Sequence, residues 1–230
     1  MEHGKHFHQA VVGAFRENVK ALANVLEVDL RSRGQRVVRD ESTALWEELN
    51  YYGSNSLAWL GRGGEGVDYP EIVRDVCKKL KVSPHAGDGI RAVKHNERLV
   101  LSKNFEDAWE HMSPRERREL LEACDYRERN IPTNGAAAAS AVFATKAAGF
   151  ASYKAAVVGA NWVSRAILGH GLSFATNSAL TKGLGWLLGP AGMAVSTGWL
   201  LKDLAELAMR KTMPAITIVA AIRVSRDESG

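Results

Sequence analysis

The sequence predicts an all-α protein, with charged amphipathic helices packed against an alanine- and glycine-rich apolar helical hairpin. Three observations predict it. In the first half, apolar residues recur at steps of three and four, the spacing of one helix face. Helix-start signals of the Ser-Pro-x-Glu kind punctuate that half. From Asn134 to Leu201 the chain holds no acidic residue and consists largely of Ala, Gly, Leu and Val. The composition boundary divides the 230 residues into a charged amphipathic region, 1–133, and an apolar region, 134–230. The two are expected to pack as one unit.

Charged residues make up 24% of the chain, a proportion ordinary for a soluble protein, and the formal net charge is +4. That mild basic balance fits an anionic surface without demanding one. Cys77 and Cys124 form no spacing motif. They fit apolar helix faces in a reducing compartment better than a disulfide framework. Met1 to Gln9 is polar and lacks the apolar run of a secretory signal, so a cytoplasmic location is expected. His3, His6 and His8 lie there, but no Cys or carboxylate cluster joins them. The expectation is a frayed polar terminus with no metal.

The first helix is read from Val11, Val12, Phe15, Val19, Leu22, Leu26 and Leu30, with Gly34 as its stop. A second spans Ser42 to Tyr52, with Leu45, Trp46 and Leu49 inward and Gly53 ending it. Gly61 to Gly66 satisfies the dinucleotide pattern G-x-G-x-x-G. That motif needs a preceding strand, and the segment before it reads as helix, so a turn is expected and no cofactor. Asp68 with Glu71 resembles a capping box, and Pro70 suits a first turn. The helix they open turns Ile72, Val73, Val76 and Leu80 inward and closes among Lys78, Lys79 and Lys81. After a loop at Ser83-Pro84 and Gly87-Asp88-Gly89, Leu99, Leu101, Phe105, Ala108, Trp109 and Met112 mark another helix. Ser113-Pro114-Arg115-Glu116 then gives N-cap, N1 and N3 of the next, which uses Leu120, Leu121 and Cys124. Ile131-Pro132-Thr133-Asn134-Gly135 breaks the chain.

Several short motifs carry a family resemblance. Glu48-Leu49 through Gly53, Ser56-Leu57-Ala58, Arg62-Gly63 and the run Asp75-Val76-Cys77-Lys78-Lys79-Leu80 resemble the YaaW-like family of uncharacterised bacterial proteins. Thr212-Met213-Pro214-Ala215-Ile216 is similar to that family's Thr-Ile-Pro-Ala segment, and the Gly-rich run ending at Gly189-Pro190 has a counterpart in kind. The resemblance spans about residues 45–223. It implies an all-helical bacterial protein. Some members are described as similar to ubiquinol–cytochrome c chaperones, and the family supplies no catalytic residues to carry over.

In the apolar region, Phe143, Phe150, Trp162, Trp186, Leu187, Leu188, Trp199 and Leu200 are the candidate membrane-insertion residues. Apolar residues there do not keep to one helix side, which suits a core or a membrane. Lys146, Lys154, Arg165 and Lys182 would fall within roughly 100° of arc on one ideal helix, forming a basic line. Short core helices with exposed lysines account for the same positions equally well. The charge-free run Gly183 to Leu201 would make a helix about 28 Å long, close to the roughly 30 Å hydrocarbon core. Its five glycines and Pro190 argue against a rigid span, and Gly189-Pro190 fits the turn of a hairpin. Met213 to Ile222 is apolar and β-branched, too short to span as a helix, and reads first as a last core helix and second as a strand.

The function expected is membrane interaction, as a pore-forming or membrane-permeabilising effector of a bacterial stress or defence response. Its partners would be an anionic membrane surface at the inner membrane and further copies of the chain. The other class is a chaperone or assembly factor holding apolar client helices, or a protein under a separate protein regulator. Nucleic acid would leave the apolar half without a purpose. Glu47, Glu48, His85, His95 and His111 form no recognisable catalytic set, so no enzyme is expected.

Overall fold

The computed structural model describes residues 3–31, 34–54, 67–123, 126, 130–143, 156, 158, 160 and 207–227. Among the described residues the protein is all-α. Its helices are α1 (Lys5–Val11), α2 (Arg16–Leu26), α3 (Arg39–Ser54), α4 (Tyr69–Lys79), α5 (Ile90–His111), α6 (Pro114–Ala123), α7 (Gly135–Phe143) and α8 (Leu207–Asp227). No described helix is long and apolar enough to cross a membrane. The hairpin expected around Gly189 and Pro190 lies outside the described residues.

The bundle is built around α8. Thr212 to Arg223 are buried at every position, and α1, α2, α3, α4 and α5 all pack against this helix. An apolar surface all round leaves a helix no solvent face, so it takes the centre. Each fully buried Ile or Val contributes about 1.5–3 kcal/mol relative to exposure. This matches the core helix read from Met213 to Ile222. Arg210 stays exposed, while the Lys211 ammonium meets Glu27 at 2.5 Å and lies 5.6 Å from the Tyr52 ring centre.

The N-terminus corrects the expectation of a frayed polar end. Phe7, Ala10 and Val11 are core residues, and Phe7 stacks edge-on against Tyr69 and tilted against Trp46. His8 is buried with Nδ1 2.8 Å from Ser42 Oγ, and burial lowers its pKa. His6 Nε2 reaches the Asp88 carbonyl, and the His3 ring meets Asp68. The three histidines therefore tie α1 to three separate segments rather than converge on a metal.

The single first helix is also corrected. The chain breaks between α1 and α2, where Gly13 takes φ +77°, a conformation glycine adopts without strain. Residues 13–16 then pair with 34–37: Gly13 N–H donates to Val37 O, Val37 N–H to Ala14 O and Arg16 N–H to Gln35 O. Arg16 fixes this corner with a two-pronged bond to Glu41, at 2.7 and 2.9 Å, and a bond to Gly34 O. The stop of α2 is Glu27 in the left-handed region, not Gly34. Similarly, α3 runs past Gly53 to Ser54.

At α4 the first-turn Pro70 and the terminal lysines are present as expected, but Asp68 makes no side-chain cap because its carboxylate faces His3. Helix α5 begins nine residues before the first inward residue named for it, Leu99. At α6 the capping box forms in both directions: Ser113 N–H donates to Glu116 Oε2 and Glu116 N–H donates to Ser113 Oγ. Cys77 is buried, and burial raises its thiol to about 11, so it packs as an inert apolar group.

Candidate functional site

The acid-free run is rooted in the bundle. Asn134 Oδ1 accepts from Ala137 N–H and caps α7. The Gly135 N–H donates to Glu110 Oε1 at 2.6 Å, so a carboxylate from α5 sits at the positive end of α7. The Gly135 backbone lies against Glu106: a Cβ there would stand 2.6 Å from the Glu106 carbonyl oxygen. This close approach seats the Ala-rich face of α7 on α5. Burial raises the Glu106 pKa, as do Asp107 and Glu110, while Lys103 opposes them.

Phe143 ends α7 partly buried, edge-on to Phe105 with ring centres 5.5 Å apart. Phe105 in turn lies beside Trp109. Ala156, Val158 and Ala160 are buried, and Ala156 joins Leu101, Ala220 and Ala221 in a small apolar cluster. The start of the apolar region thus contributes core to the bundle.

Of the sequence-predicted site residues, the structure places Phe143. Phe150, Trp162, Trp186, Leu187, Leu188, Trp199 and Leu200 lie outside the described residues, as do Lys146, Lys154, Arg165, Lys182, Gly189 and Pro190. The Gly61 to Gly66 run and Cys124 lie outside them too.

What sequence reasoning missed is a polar lock at the far end of α8. Arg223 Nε donates to Glu97 Oε2 at 2.6 Å, and its Nη2 donates to Glu97 Oε1 and to the His6 carbonyl. The Tyr69 hydroxyl donates to Glu97 Oε1 at 2.7 Å. Burial, reinforced by the Glu97 charge, pushes the Tyr69 pKa well above its ordinary value, so it remains a donor. One turn of α8 further on, Arg226 Nη1 donates to the carbonyls of Gln9, Ala10 and Val12 and closes the C-terminal end of α1. Halfway along, Asn104 donates to Thr217 Oγ1. The lock therefore joins α1, α4, α5 and α8. The only local signal for it was Arg223 following an apolar stretch.

Among the described residues no group of three or more His, Cys, Asp or Glu is placed to hold a metal. His85 and His95 meet edge-on, with His85 Nδ1 accepting from Gly87 N–H, and His111 Nδ1 contacts the Asp107 carbonyl. These contacts order loops and a helix end.

Fold and site define a class: a helical bundle closed on the buried helix α8 by a polar lock, with an acid-free stretch of sequence between α7 and α8. The chain belongs to the UPF0174 family. It is 39% identical over 183 residues to a UPF0174 protein of Helicobacter pylori strain J99, covering 80% of this chain and 71% of the relative. A UPF0174 protein of strain 26695 is 36% identical over 182 residues, covering 77% and 85%. The relatives carry the UPF0174 description rather than the YaaW-like name expected from the short motifs, and neither name states an activity. No family model matches the chain, and no solved structure matches it.

Proposed function

We propose that this is a non-enzymatic, membrane-interacting helical protein whose acid-free segment meets an anionic bilayer from the cytoplasmic side. There it self-assembles and permeabilises the inner membrane, as an effector of a bacterial stress or defence response. One observation supports the reading above others: α8 takes the centre of the charged helices, with α7 and the buried Ala156, Val158 and Ala160 adding to the core. The run from Gly183 to Leu201 carries no charge and is rich in Trp and Leu, a composition suited to an apolar environment. Helices α7 and α8 bracket that run in sequence, and both are seated in the bundle, which makes the bundle a mount for it. Insertion of an Ala/Gly-rich segment is marginal, since a cation at the bilayer centre costs about 2.5–3.5 kcal/mol. Marginal insertion suits a segment that enters a membrane conditionally rather than a permanent anchor.

The test uses the full chain with vesicles of phosphatidylcholine and phosphatidylglycerol, reading sedimentation and dye release. The parent is expected to bind and release dye, and Leu187→Lys and Leu200→Glu to lose both while keeping the parent's circular dichroism. Folded variants that sediment and leak like the parent remove the run as the insertion element. Tight capture of an apolar helical peptide without leakage would instead support a chaperone.

A further inference from the structure

We propose that the N-terminal half of α5, with the α4–α5 loop packed against it, is a docking face for an anionic bilayer. Arg91, His95 and Arg98 are exposed and follow one another at steps of four and three, so they share one side of α5. The loop is fixed to this half of the helix. Asn96 Oδ1 accepts from the His85 N–H at 2.8 Å, and its Nδ2 donates to the His85 carbonyl at 3.0 Å. The His85 ring meets His95 edge-on, with ring centres 6.2 Å apart. The end of α4 is held beside the same turn, where the Cys77 thiol donates to the Asn96 carbonyl, so the exposed Lys79 and Lys81 belong to this end of the bundle.

Charge pairing leaves this end basic. Residues 74–98 hold seven Lys and Arg against three acids. Each of those acids has a cation of its own: Asp75 with Lys78, Asp88 with Arg74 and Glu97 with Arg223. Lys94 is also engaged, and the face does not use it. Among the described residues no carboxylate pairs with Lys79, Lys81, Arg91 or Arg98, so all four keep their charge.

The C-terminal half of α5 differs. Its charges are mixed and paired, Lys103 with Glu106 and Asp107, and Arg117 of α6 with Glu110. At 1.5 Å per residue, Glu106 lies about 12 Å along the axis from Arg98. That exceeds the Debye length of about 8 Å at physiological salt, so the acids there do not cancel the field of the cations. A negatively charged plane therefore attracts the first half of α5 in preference to the second, which fixes the orientation of approach.

The acid-free region leads toward the attracted half. Gly135 rests at Glu106 and Glu110, Phe143 at Phe105, and Ala156 in the cluster with Leu101, so these contacts advance along α5 toward Arg98. Residues 74–98 contain no Phe, Tyr or Trp on which bases could stack, which favours a lipid surface over single-stranded nucleic acid. The proposal rests on the anionic bilayer as partner and not on insertion of the acid-free segment.

The test floats the full chain with vesicles of phosphatidylcholine alone and mixed with phosphatidylglycerol, at ionic strengths of about 0.01 M and about 0.15 M, where charges act over about 30 Å and about 8 Å. The parent is expected to float with the mixed vesicles only, and more strongly at the lower ionic strength. Arg91→Gln with Arg98→Gln should weaken this at least about tenfold, and adding Lys79→Gln and Lys81→Gln should weaken it further. Arg91→Lys with Arg98→Lys should retain it, and the charge-matched Lys20→Gln with Arg118→Gln, on α2 and α6, should change it less than about threefold. Circular dichroism checks that each variant is folded. Flotation that depends on Arg91 and Arg98 without dye release keeps the face and removes the permeabilising reading. Dye release by the parent, with equal flotation of the folded Arg91→Gln, Arg98→Gln variant, overturns the face and leaves that reading standing. No flotation with mixed vesicles at the lower ionic strength overturns the face, as does an equal loss in the charge-matched control. Preference for RNA over the mixed vesicles, lost with Arg91 and Arg98, assigns the face to nucleic acid and overturns membrane docking.

Discussion

Glu97 and Arg223 stand 126 positions apart in the chain and meet at 2.6 Å inside the bundle, each less than a tenth exposed. Removing one partner strands a buried charge. Glu97→Gln is expected to cost about 3–5 kcal/mol in urea unfolding followed by circular dichroism. Replacing the whole set, as Glu97→Leu with Arg223→Met and Tyr69→Phe, should fall within about 1 kcal/mol of the parent. A single variant that loses less than about 1 kcal/mol would place the pair in water rather than in the core.

Gly135 and Gly53 make a matched comparison. A Cβ at Gly135 meets the Glu106 backbone at 2.6 Å, and backbone cannot rotate away. Gly135→Ala is expected to cost about 1–3 kcal/mol. At Gly53 the contacts are the Cδ1, Cγ1 and Cγ2 atoms of the buried Ile72, at 2.7, 2.9 and 3.2 Å, a side chain that must shift within the core. Gly53 lies within α3, where alanine is favoured by up to about 1 kcal/mol, which offsets part of that shift, so Gly53→Ala should cost less than Gly135→Ala. Thermal melts of the two variants check the contrast.

His8 should make stability fall on acidification. Burial lowers its pKa from 6.5, so below that value the unfolded chain binds a proton that the folded chain resists. Its contribution is complete above about pH 6.5 and is lost as pH falls toward the folded pKa. His8→Gln retains a partner for Ser42 without titrating. The difference in melting temperature between pH 7.5 and pH 5 should be a few degrees smaller in this variant than in the parent. Equal differences would show that His8 is hydrated.

A fragment ending at Pro132 lacks α8 and therefore the centre of the bundle. It is expected to keep helical far-ultraviolet dichroism, bind a hydrophobic dye and melt without a cooperative transition. A peptide of residues 207–227 added in trans should restore cooperativity. A sharp melt of the fragment alone would mean that the charged helices have a core of their own.

Replacing Lys146, Lys154, Arg165 and Lys182 together with glutamine tests the basic line. Headgroup attraction is worth about 1 kcal/mol per cation near an anionic surface, so binding to phosphatidylglycerol vesicles should fall at least about tenfold. Any channel in planar-bilayer recordings should lose anion preference. Unchanged binding and selectivity in a folded variant would remove the line as a functional feature.

Local signals were legible where a local rule was decisive. Ser113 and Glu116 exchange the two bonds that their spacing implied, and Met213 to Ile222 is the core helix that its lack of charge implied. Signals failed where a distant partner won. Asp68 has the chemistry of a cap, but His3 takes its carboxylate. His8 reads as a polar terminal residue until Ser42 stands beside it, and nothing near Arg223 announces Glu97. The break at Gly13 follows the same logic, because its pairing segment lies beyond α2. Of the candidate insertion residues, Phe143 alone falls among the described residues, where it packs on Phe105.

The central position of α8 also has a consequence for synthesis. Helices α1 to α5 leave the ribosome before the helix that they enclose. At about 5–20 residues per second, roughly 4–17 s separate completion of α6 from the start of α8. Throughout that interval the inner faces of the early helices lack the partner that α8 supplies, and the acid-free run emerges before the bundle can shut. Closure then depends on contacts between chain segments far apart in sequence, which form slowly. The nascent chain is consequently the stage at which a holding chaperone, or a nearby lipid surface, has its best access to these apolar faces.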